Sequence, residues 1–377
     1  MDLKDLRNEI DEIDDELVKL FTKRMDVATR IADVKKEKSL PIFVPARERE
    51  KLLDVSEKAG PEMANYTRVL YSMLFELSRS HQNKLNGNIS PLYQQITEAI
   101  ENTPKLFPQA PMVACQGVEG AYSQIACEKI FKSPFIMYFR NFEGVFSAID
   151  KGLCQYGILP LENSTAGSVT QVYDLMEQHA FHIVGACRLR IDHCLLRKKG
   201  AKGPITRVVS HEQALRQCSD YLEAHPLYQA EAMKNTAVAA EYVANCEAND
   251  VAVIASAVCA DIYGLEIAEE NISNVQNNFT RFICISRELK VYPNARKVSI
   301  MFNLPHAPGA LNNIISRLAL AGVNLTKLES RPIPGREFEF RFFFDFEADL
   351  HDPAIVDLIS ELEKRTEHFV FLGAYSE

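Results

Sequence analysis

The segment Asn277-Asn278-Phe279-Thr280-Arg281-Phe282 sets two carboxamides, a hydroxyl and a guanidinium ahead of the apolar run Ile283-Cys284-Ile285. Aromatic and β-branched residues dominate the run, and Ser286-Arg287-Glu288 ends it, which predicts a buried strand. At the mouth of that strand the guanidinium and carboxamides can hold a carboxylate while the hydroxyl donates a proton. The same residues would also suit a strand opened by Thr with Arg in a surface ion pair, so the motif needs support from elsewhere. Two more polar clusters, Asn163-Ser164-Thr165 and Ser210-His211, fall where strands should end. Ligands of open α/β sheets bind at the carboxyl ends of strands, where helix N-termini favour anions. One such cluster reads equally well as a cap or turn; three in one region point to a site.

A second set of charges lies on a long amphipathic pattern near the N-terminus. Leu3, Leu6, Ile10, Ile13, Leu17 and Leu20 alternate spacings of three and four, and Val27, Ile31 and Val34 continue the stripe to Pro41. A helix of that length spans ~60 Å and needs a partner helix. Arg24 and Lys35, at ~100° per residue, project in nearly the same direction. Arg7 lies ~25 Å from Arg24 along the axis, so no small ligand touches both from one helix. If Arg7 serves the same site, it comes from an antiparallel second copy, which makes an intertwined dimer. The alternative is a row of solvated cations.

The elements that position these residues divide into three regions. Pro45 opens a second helix that Gly60 closes, and Pro61 opens a third that runs to about Asn86-Gly87. Residues 87–111 hold Gly87, Ser90, Pro91, Pro104, Pro108 and Pro111 around a helical pattern from Leu92 to Ile100, a linker with one helix. From Met112 strands alternate with helices, which predicts an α/β domain with a largely parallel sheet. Here Val208 to His211 leads a helix to Glu223, and Thr236 is read as the N-cap of a helix to Asn245. Lys198 to Pro204, rich in Lys, Gly and Pro, is placed between two lobes with a cleft. From Lys297 the order is βαββαβ, which is ferredoxin-like, with Phe338, Phe340, Phe342 and Phe344 read as core.

Composition limits the function classes. The apolar fraction of 47% and charged fraction of 25% fit a soluble globular chain, and its 377 residues allow two or three domains. A formal charge of −9 argues against a nucleic-acid surface. The acidic start Met1-Asp2-Leu3-Lys4-Asp5 is no signal peptide, and no run reaches the ~18 apolar residues of a membrane span. The nine cysteines lack CxxC spacing and mostly sit in apolar runs, so they read as reduced core thiols of a cytoplasmic protein. No histidine spacing fits a metal, and no metal or cofactor is expected.

Leu6-Arg7-x-x-Ile10-Asp11, Lys23-Arg24, Lys35, Arg47-Glu48-Arg49-Glu50, Ser78 and Gln82 resemble the all-helical chorismate mutase family. The resemblance implies that Arg7 from a second copy, Arg24, Lys35, Arg47, Glu48, Ser78 and Gln82 surround a dianionic substrate, with Glu48 and Gln82 at its ether oxygen. A pericyclic rearrangement needs no nucleophile, only a held conformer and positive charge near the oxygen that gains electron density. The position four residues before Glu48, often Asp in the family, is Val44 here. Its loss weakens a hydroxyl contact and leaves the charge clamp.

The middle region resembles prephenate dehydratase through Gly117-x-x-Gly120-Ala121-Tyr122-Ser123, Pro160-Leu161-Glu162-Asn163-Ser164, Ile191-Asp192-His193-Cys194-Leu195, Ser210-His211-x-Gln213 with Gln217, and Asn278-Phe279-Thr280-Arg281-Phe282. The resemblance implies Thr280 as the catalytic hydroxyl, with Glu162 or His211 as proton relay. Asn163, Ser164, Ser210, His211, Gln217 and Arg281 would then bind substrate. Pro308-Gly309-Ala310-Leu311 and Glu329-Ser330-Arg331-Pro332 are similar to ACT amino-acid-sensing domains. That implies a regulatory phenylalanine at Gly309, Ala310, Leu311, Glu329, Ser330 and Arg331.

The expectation is a multidomain protein: an all-α three-helix mutase domain at 1–90, dimeric and intertwined, and a linker at 91–110. A two-lobed α/β dehydratase domain at 111–288 and an α+β ferredoxin-like ACT domain at 296–377 complete it. The expected activities are chorismate to prephenate and prephenate to phenylpyruvate, inhibited by phenylalanine, in a homodimer or higher homo-oligomer without nucleic-acid or membrane partners. Two alternatives stay open: a dehydratase whose helical domain only dimerises, and a non-catalytic sensor of aromatic metabolites.

Overall fold

The computed structural model describes residues 2–38, 40–85 and 90–377. The chain forms two compact units, Met1–Gln94 and Gln95–Glu377. In the first, α1 (Leu3–Glu37) packs against α2 (Pro45–Leu85). Gly60, at φ 75°, breaks the helical path just before Pro61, so α2 is two segments, matching the expected second and third helices. Asn86 and Gly87, the expected end of the third helix, lie outside the described residues. Ala28 and Ala32 of α1 are buried, whereas Leu3, Leu6, Ile10, Ile13, Leu17 and Leu20 stay exposed within one chain. Helix α3 (Pro91–Asn102) follows.

The second unit contains three sheets. Strands β1 (Met112–Gln116), β2 (Phe135–Phe139), β3 (Tyr156–Asn163), β4 (Gly167–Ser168) and β5 (His182–Arg190) alternate with helices α4 (Tyr122–Ile130), α5 (Phe142–Asp150) and α6 (Thr170–Met176). Then come β6 (Cys194–Lys198), β7 (Arg207–His211), α7 (Glu212–Gln217), α8 (Ser219–Glu223), β8 (Gln229–Met233), α9 (Thr236–Asn245), β9 (Val251–Ala255), α10 (Val258–Tyr263), β10 (Leu265–Glu269) and β11 (Phe279–Ser286). The first sheet runs β2-β1-β3-β11-β5 with β4 beside β3, and the second runs β10-β6-β9-β7-β8.

The two sheets repeat one plan. In each, a central strand (β1 or β7) is flanked by two parallel neighbours, β2 and β3 or β8 and β9. An antiparallel strand then joins the third: β11 on β3, β6 on β9. Both sheets are therefore mixed, which corrects the expectation of one largely parallel sheet. Alternating strands and helices in sequence do not reveal that β11 returns from far along the chain. Lys198 to Pro204 turns between β6 and β7 inside the second sheet, not between lobes. The helix expected to reach Glu223 breaks at Cys218 into α7 and α8. Asn235, not Thr236, caps α9, its Oδ1 accepting from the Val238 N–H at 2.7 Å.

The third sheet comprises β12 (Lys297–Asn303), β13 (Asn324–Pro332), β14 (Phe340–Glu347) and β15 (Glu367–Tyr375) in the order β13-β14-β12-β15, all antiparallel. Helices α11 (Ala310–Leu320) and α12 (Pro353–Arg365) connect them. Side chains alternate across a strand. Met301, Phe343, Leu372 and Tyr375 accordingly join the core of the first sheet with Leu161, Tyr173 and Ile283. Phe302 and Phe344 form an edge-to-face pair on the other face. Phe338 and Phe340, expected in the core, are exposed, Phe338 at φ 57° in the turn before β14 and Phe340 at its first residue.

Strand β15 also lies against β5: the Ala186 N–H donates to the Ser376 carbonyl at 3.0 Å. Gly373, at φ 146°, permits the approach, since a Cβ there would sit 2.1 Å from the Ile183 carbonyl oxygen. Gly373→Ala is expected to cost about 3 kcal/mol or more through backbone displacement. Chemical denaturation would check this, the expected result being a lower midpoint for the second unit.

Candidate active sites

The loops at the carboxyl ends of β1, β2, β7 and β8 meet around one cavity of about 700 Å³ in the second unit. Gln116, Tyr122 and Ser123 come from the β1 end, Arg140 and Asn141 from the β2 end. The second lobe supplies His211, Gln213, Arg216 and Gln217 after β7, and Lys234, Asn235 and Thr236 after β8. The repeated plan thus delivers two matched corners, Arg140-Asn141 and Lys234-Asn235. In both, the asparagine caps a helix: Asn141 Oδ1 accepts from the Gly144 N–H at 2.9 Å, as Asn235 does for Val238. Two helix N-termini and three cations, Arg140, Arg216 and Lys234, therefore face one space. Such a cavity suits a ligand with more than one anionic group.

Thr280 and Asn163 are opposite each other on β11 and β3, and both face the cavity. Asn163 Nδ2 donates to Thr280 Oγ1 at 2.9 Å and to Asn278 Oδ1 at 2.7 Å. Asn163 Oδ1 in turn accepts from Thr165 Oγ1 at 2.7 Å and from the Ala166 N–H at 2.9 Å. Both ends of the carboxamide are fixed, and the Thr280 hydroxyl, already an acceptor, keeps its proton for another partner. The chain of contacts continues from Thr165 to Gln217 Nε2 at 3.1 Å, and from Gln217 Oε1 to His193 Nε2 at 2.9 Å. Burial pushes the His193 and His211 imidazoles below their ordinary value, favouring neutral rings.

Several expected members lie elsewhere. Arg281, one residue beyond Thr280, points to the opposite face of the sheet and does not line the cavity. It is 4% exposed and pairs with Asp345 at 2.5 Å and Glu162 at 3.2 Å. Glu162 shares that face and so is not placed to relay a proton to Thr280; although burial raises its pKa, Lys327 and Arg281 outweigh that and hold it below the usual range. Ser210 is fully buried, its Oγ donating to the Ile254 carbonyl at 2.6 Å. Ser164 ties down the approach to β11, donating to the Asn277 carbonyl and accepting from the Phe279 N–H. His211 and Gln217 do line the cavity. Arg140, Arg216 and Lys234 escaped the sequence reading, which searched motifs; the paired basic-Asn steps before α5 and α9 were a signal it could have used.

In the helical unit, Arg24 Nη1 bonds Ser78 Oγ and, at 3.1 Å, the Leu74 carbonyl. Lys35 Nζ donates to the Ile42 carbonyl at 2.6 Å, and burial, partly offset by Glu48, lowers its pKa. Gln82 is buried one turn beyond Ser78, its Oε1 without a partner among the described residues. Glu48 is ion-paired with Arg79, a cation the sequence reading passed over, which also lies 5.0 Å from the Phe43 ring centroid. Arg7 is exposed, and Arg47 is an exposed partner of Glu50, so neither joins this group within one chain.

Among the described residues no helix is long and apolar enough to cross a membrane. Residues 6–83 match the family model of chorismate mutase type II, and residues 113–290 that of prephenate dehydratase. The bifunctional chorismate mutase/prephenate dehydratase of Escherichia coli K12 is 30% identical, over 98% of this chain and 95% of its own. The arogenate dehydratase/prephenate dehydratase 2 of Arabidopsis thaliana is 38% identical, over 74% of this chain and 75% of its own. A crystal structure of prephenate dehydratase from Arthrobacter aurescens, in complex with L-Phe, is 26% identical with a TM-score of 0.65, over 71% of this chain and 90% of its own. The helical unit and the cationic cavity are thus two parts of one enzyme of phenylalanine biosynthesis: the chain belongs to the bifunctional chorismate mutase/prephenate dehydratase family.

Proposed function

We propose that the cationic cavity performs the second reaction with Thr280 as its catalytic residue, and that Arg24, Lys35, Glu48, Ser78 and Gln82 build the first. Prephenate carries two carboxylates, and Arg140, Arg216 and Lys234 with the N-termini of α5 and α9 supply the counter-charge. Dehydration breaks the ring C–O bond as the ring carboxylate leaves as carbon dioxide; the electron pair of the C–C bond completes the aromatic ring. The departing hydroxide takes up one proton to become water. Thr280 donates a hydrogen bond to that oxygen, and Asn163 holds its Oγ in place. This Asn163–Thr280 contact, on the cavity wall, carries the reading, with His211 and Gln217 as binding residues.

The first reaction redistributes electrons without a covalent intermediate. Arg24 and Lys35 hold the substrate carboxylates, and Ser78 orients the Arg24 guanidinium. The exposed stripe of α1 and the position of Arg7 favour a second, antiparallel copy that buries the stripe and completes each site with Arg7. Arg47 belongs to that assembled site. The strand order and two connecting helices of the third sheet support a ferredoxin-like ACT domain over 296–377, after a mutase domain at 1–90 and a dehydratase domain at 111–288. The L-Phe complex of the Arthrobacter dehydratase supports phenylalanine as the inhibitor. Gly309 (φ 82°) and Leu311 at the start of α11 offer backbone N–H groups for its carboxylate, while the Ala310 N–H is taken by the Ala307 carbonyl at 3.2 Å; Ser330 is on the neighbouring strand β13. Glu329 and Arg331 are engaged with the dehydratase layer instead.

Thr280→Ala is expected to lower dehydratase kcat at least ~100-fold while the mutase rate stays within twofold, with Thr280→Ser recovering part of the loss. Purified variants given prephenate and chorismate separately check this. Mixing Arg7→Ala with Arg24→Ala chains, each inactive as a mutase, should restore activity by forming one intact site per heterodimer; no recovery after refolding together would place Arg7 outside the site. Phenylalanine should suppress turnover of prephenate, and Gly309→Ala, strained at its positive φ, should shift the inhibition curve to higher concentration.

A further inference from the structure

Strand β13 carries Lys327, Glu329 and Arg331 at alternate positions, on one face. All three reach the dehydratase layer. Lys327 Nζ pairs with Glu162 of β3, Glu329 Oε2 accepts from Ser168 Oγ of β4 at 2.8 Å, and Arg331 pairs with Asp174 of α6 at 3.0 Å. The three targets bracket the stretch from Glu162 to Asp174. Within it, Asn163 holds Thr280, and Gly167, Ser168 and Val169 line the cavity.

Ser164 ties the start of that stretch to β11, but its β4 end has little pairing of its own. Strand β4 is two residues long and pairs with β3 only at Glu162↔Ser168 and Asn163↔Gly167. The Ser164–Gly167 turn is exposed, with Gly167 at φ 80°. So short an antiparallel pair is marginal alone and needs packing from a neighbour. The neighbour on the side away from the substrate is β13. Asn163 is attached to this hairpin directly, so its carboxamide moves when the hairpin does.

We infer that Glu329 is a positioning residue of the dehydratase, acting through Ser168 to hold the β3–β4 hairpin and hence the Asn163–Thr280 pair in catalytic geometry. Lys327, through Glu162, secures the other end of the same turn. The inference rests on the reading of Thr280 and Asn163 as the dehydratase centre, which Thr280→Ala tests by itself.

The test uses the full chain, with the mutase rate as an internal control for folding. Glu329→Ala is expected to lower kcat for prephenate about tenfold, as a misplaced catalytic group does, with KM changed less than threefold. Glu329→Gln, which keeps an acceptor for Ser168, should stay within twofold of the parent. In a Ser168→Ala background, Glu329→Ala should cause no further loss, because the contact is already gone. An unchanged kcat in Glu329→Ala overturns the proposal, as do losses that multiply in the double variant. Should Glu329→Ala fail to fold, Glu329→Gln decides: a tenfold loss there overturns it.

Discussion

One buried charge organises the larger unit. The Arg281 guanidinium sits in the sheet core, where a lone cation would cost several kcal/mol, and removing one partner of such a pair costs roughly 3–5 kcal/mol. Its partners come from three places: Glu162 on β3, Asp345 on β14 and Tyr375 and Glu377 at the end of the chain. Ser299 and Lys297 of β12 complete the set by bonding Asp345 and Glu377. Strand β11 therefore holds this arginine with most of its partners supplied from the C-terminal layer. Folding of the catalytic layer and docking of the C-terminal layer are tied by these contacts.

Because side chains alternate along β11, the same constraint locates the chemistry. Arg281 faces the C-terminal sheet, so Thr280 and Phe282 face the cavity. The pairing of β11 with β3 sets Asn163 opposite Thr280 and Glu162 opposite Arg281. One register thus produces a neutral hydrogen-bonded pair on the cavity side and an ion-pair network on the other. The ionised network is thereby kept off the cavity wall, whose cations follow β2, β7 and β8 instead.

The two lobes show how a repeated plan gathers positive charge around one cavity. Each lobe ends a parallel strand in a basic residue followed by a capping asparagine, so that corner gives one cation and one helix N-terminus per lobe, and Arg216 of the second lobe adds a third cation. The helical unit reaches a similar balance differently. There Arg24 and Lys35 stand on one long helix, partly buried against α2, and Ser78, one turn before the buried Gln82, meets Arg24. Arg79 pairs with Glu48 beside that group.

The sequence alone determined the three-part order, the helical stripe of α1, the break at Gly60-Pro61 and the neighbourhood of Thr280, because these are local. Periodicity, Pro and Gly placement and contiguous motifs survive in one dimension. The same motifs could not say which way a side chain points: Arg281 and Ser210 adjoin cavity residues yet face away, because strand alternation and register with distant β3 and β9 decide orientation. Nor could they gather Arg140, Arg216 and Lys234, which are far apart in sequence and meet only when two lobes of the same plan face each other. Glu329 and Arg331 stand in a motif read as ligand-binding, but the docking of β13 on β4 and α6 gives their side chains partners in the catalytic layer. The tertiary structure decides this because a side chain's partner is set by the packing of layers, not by its neighbours along the chain.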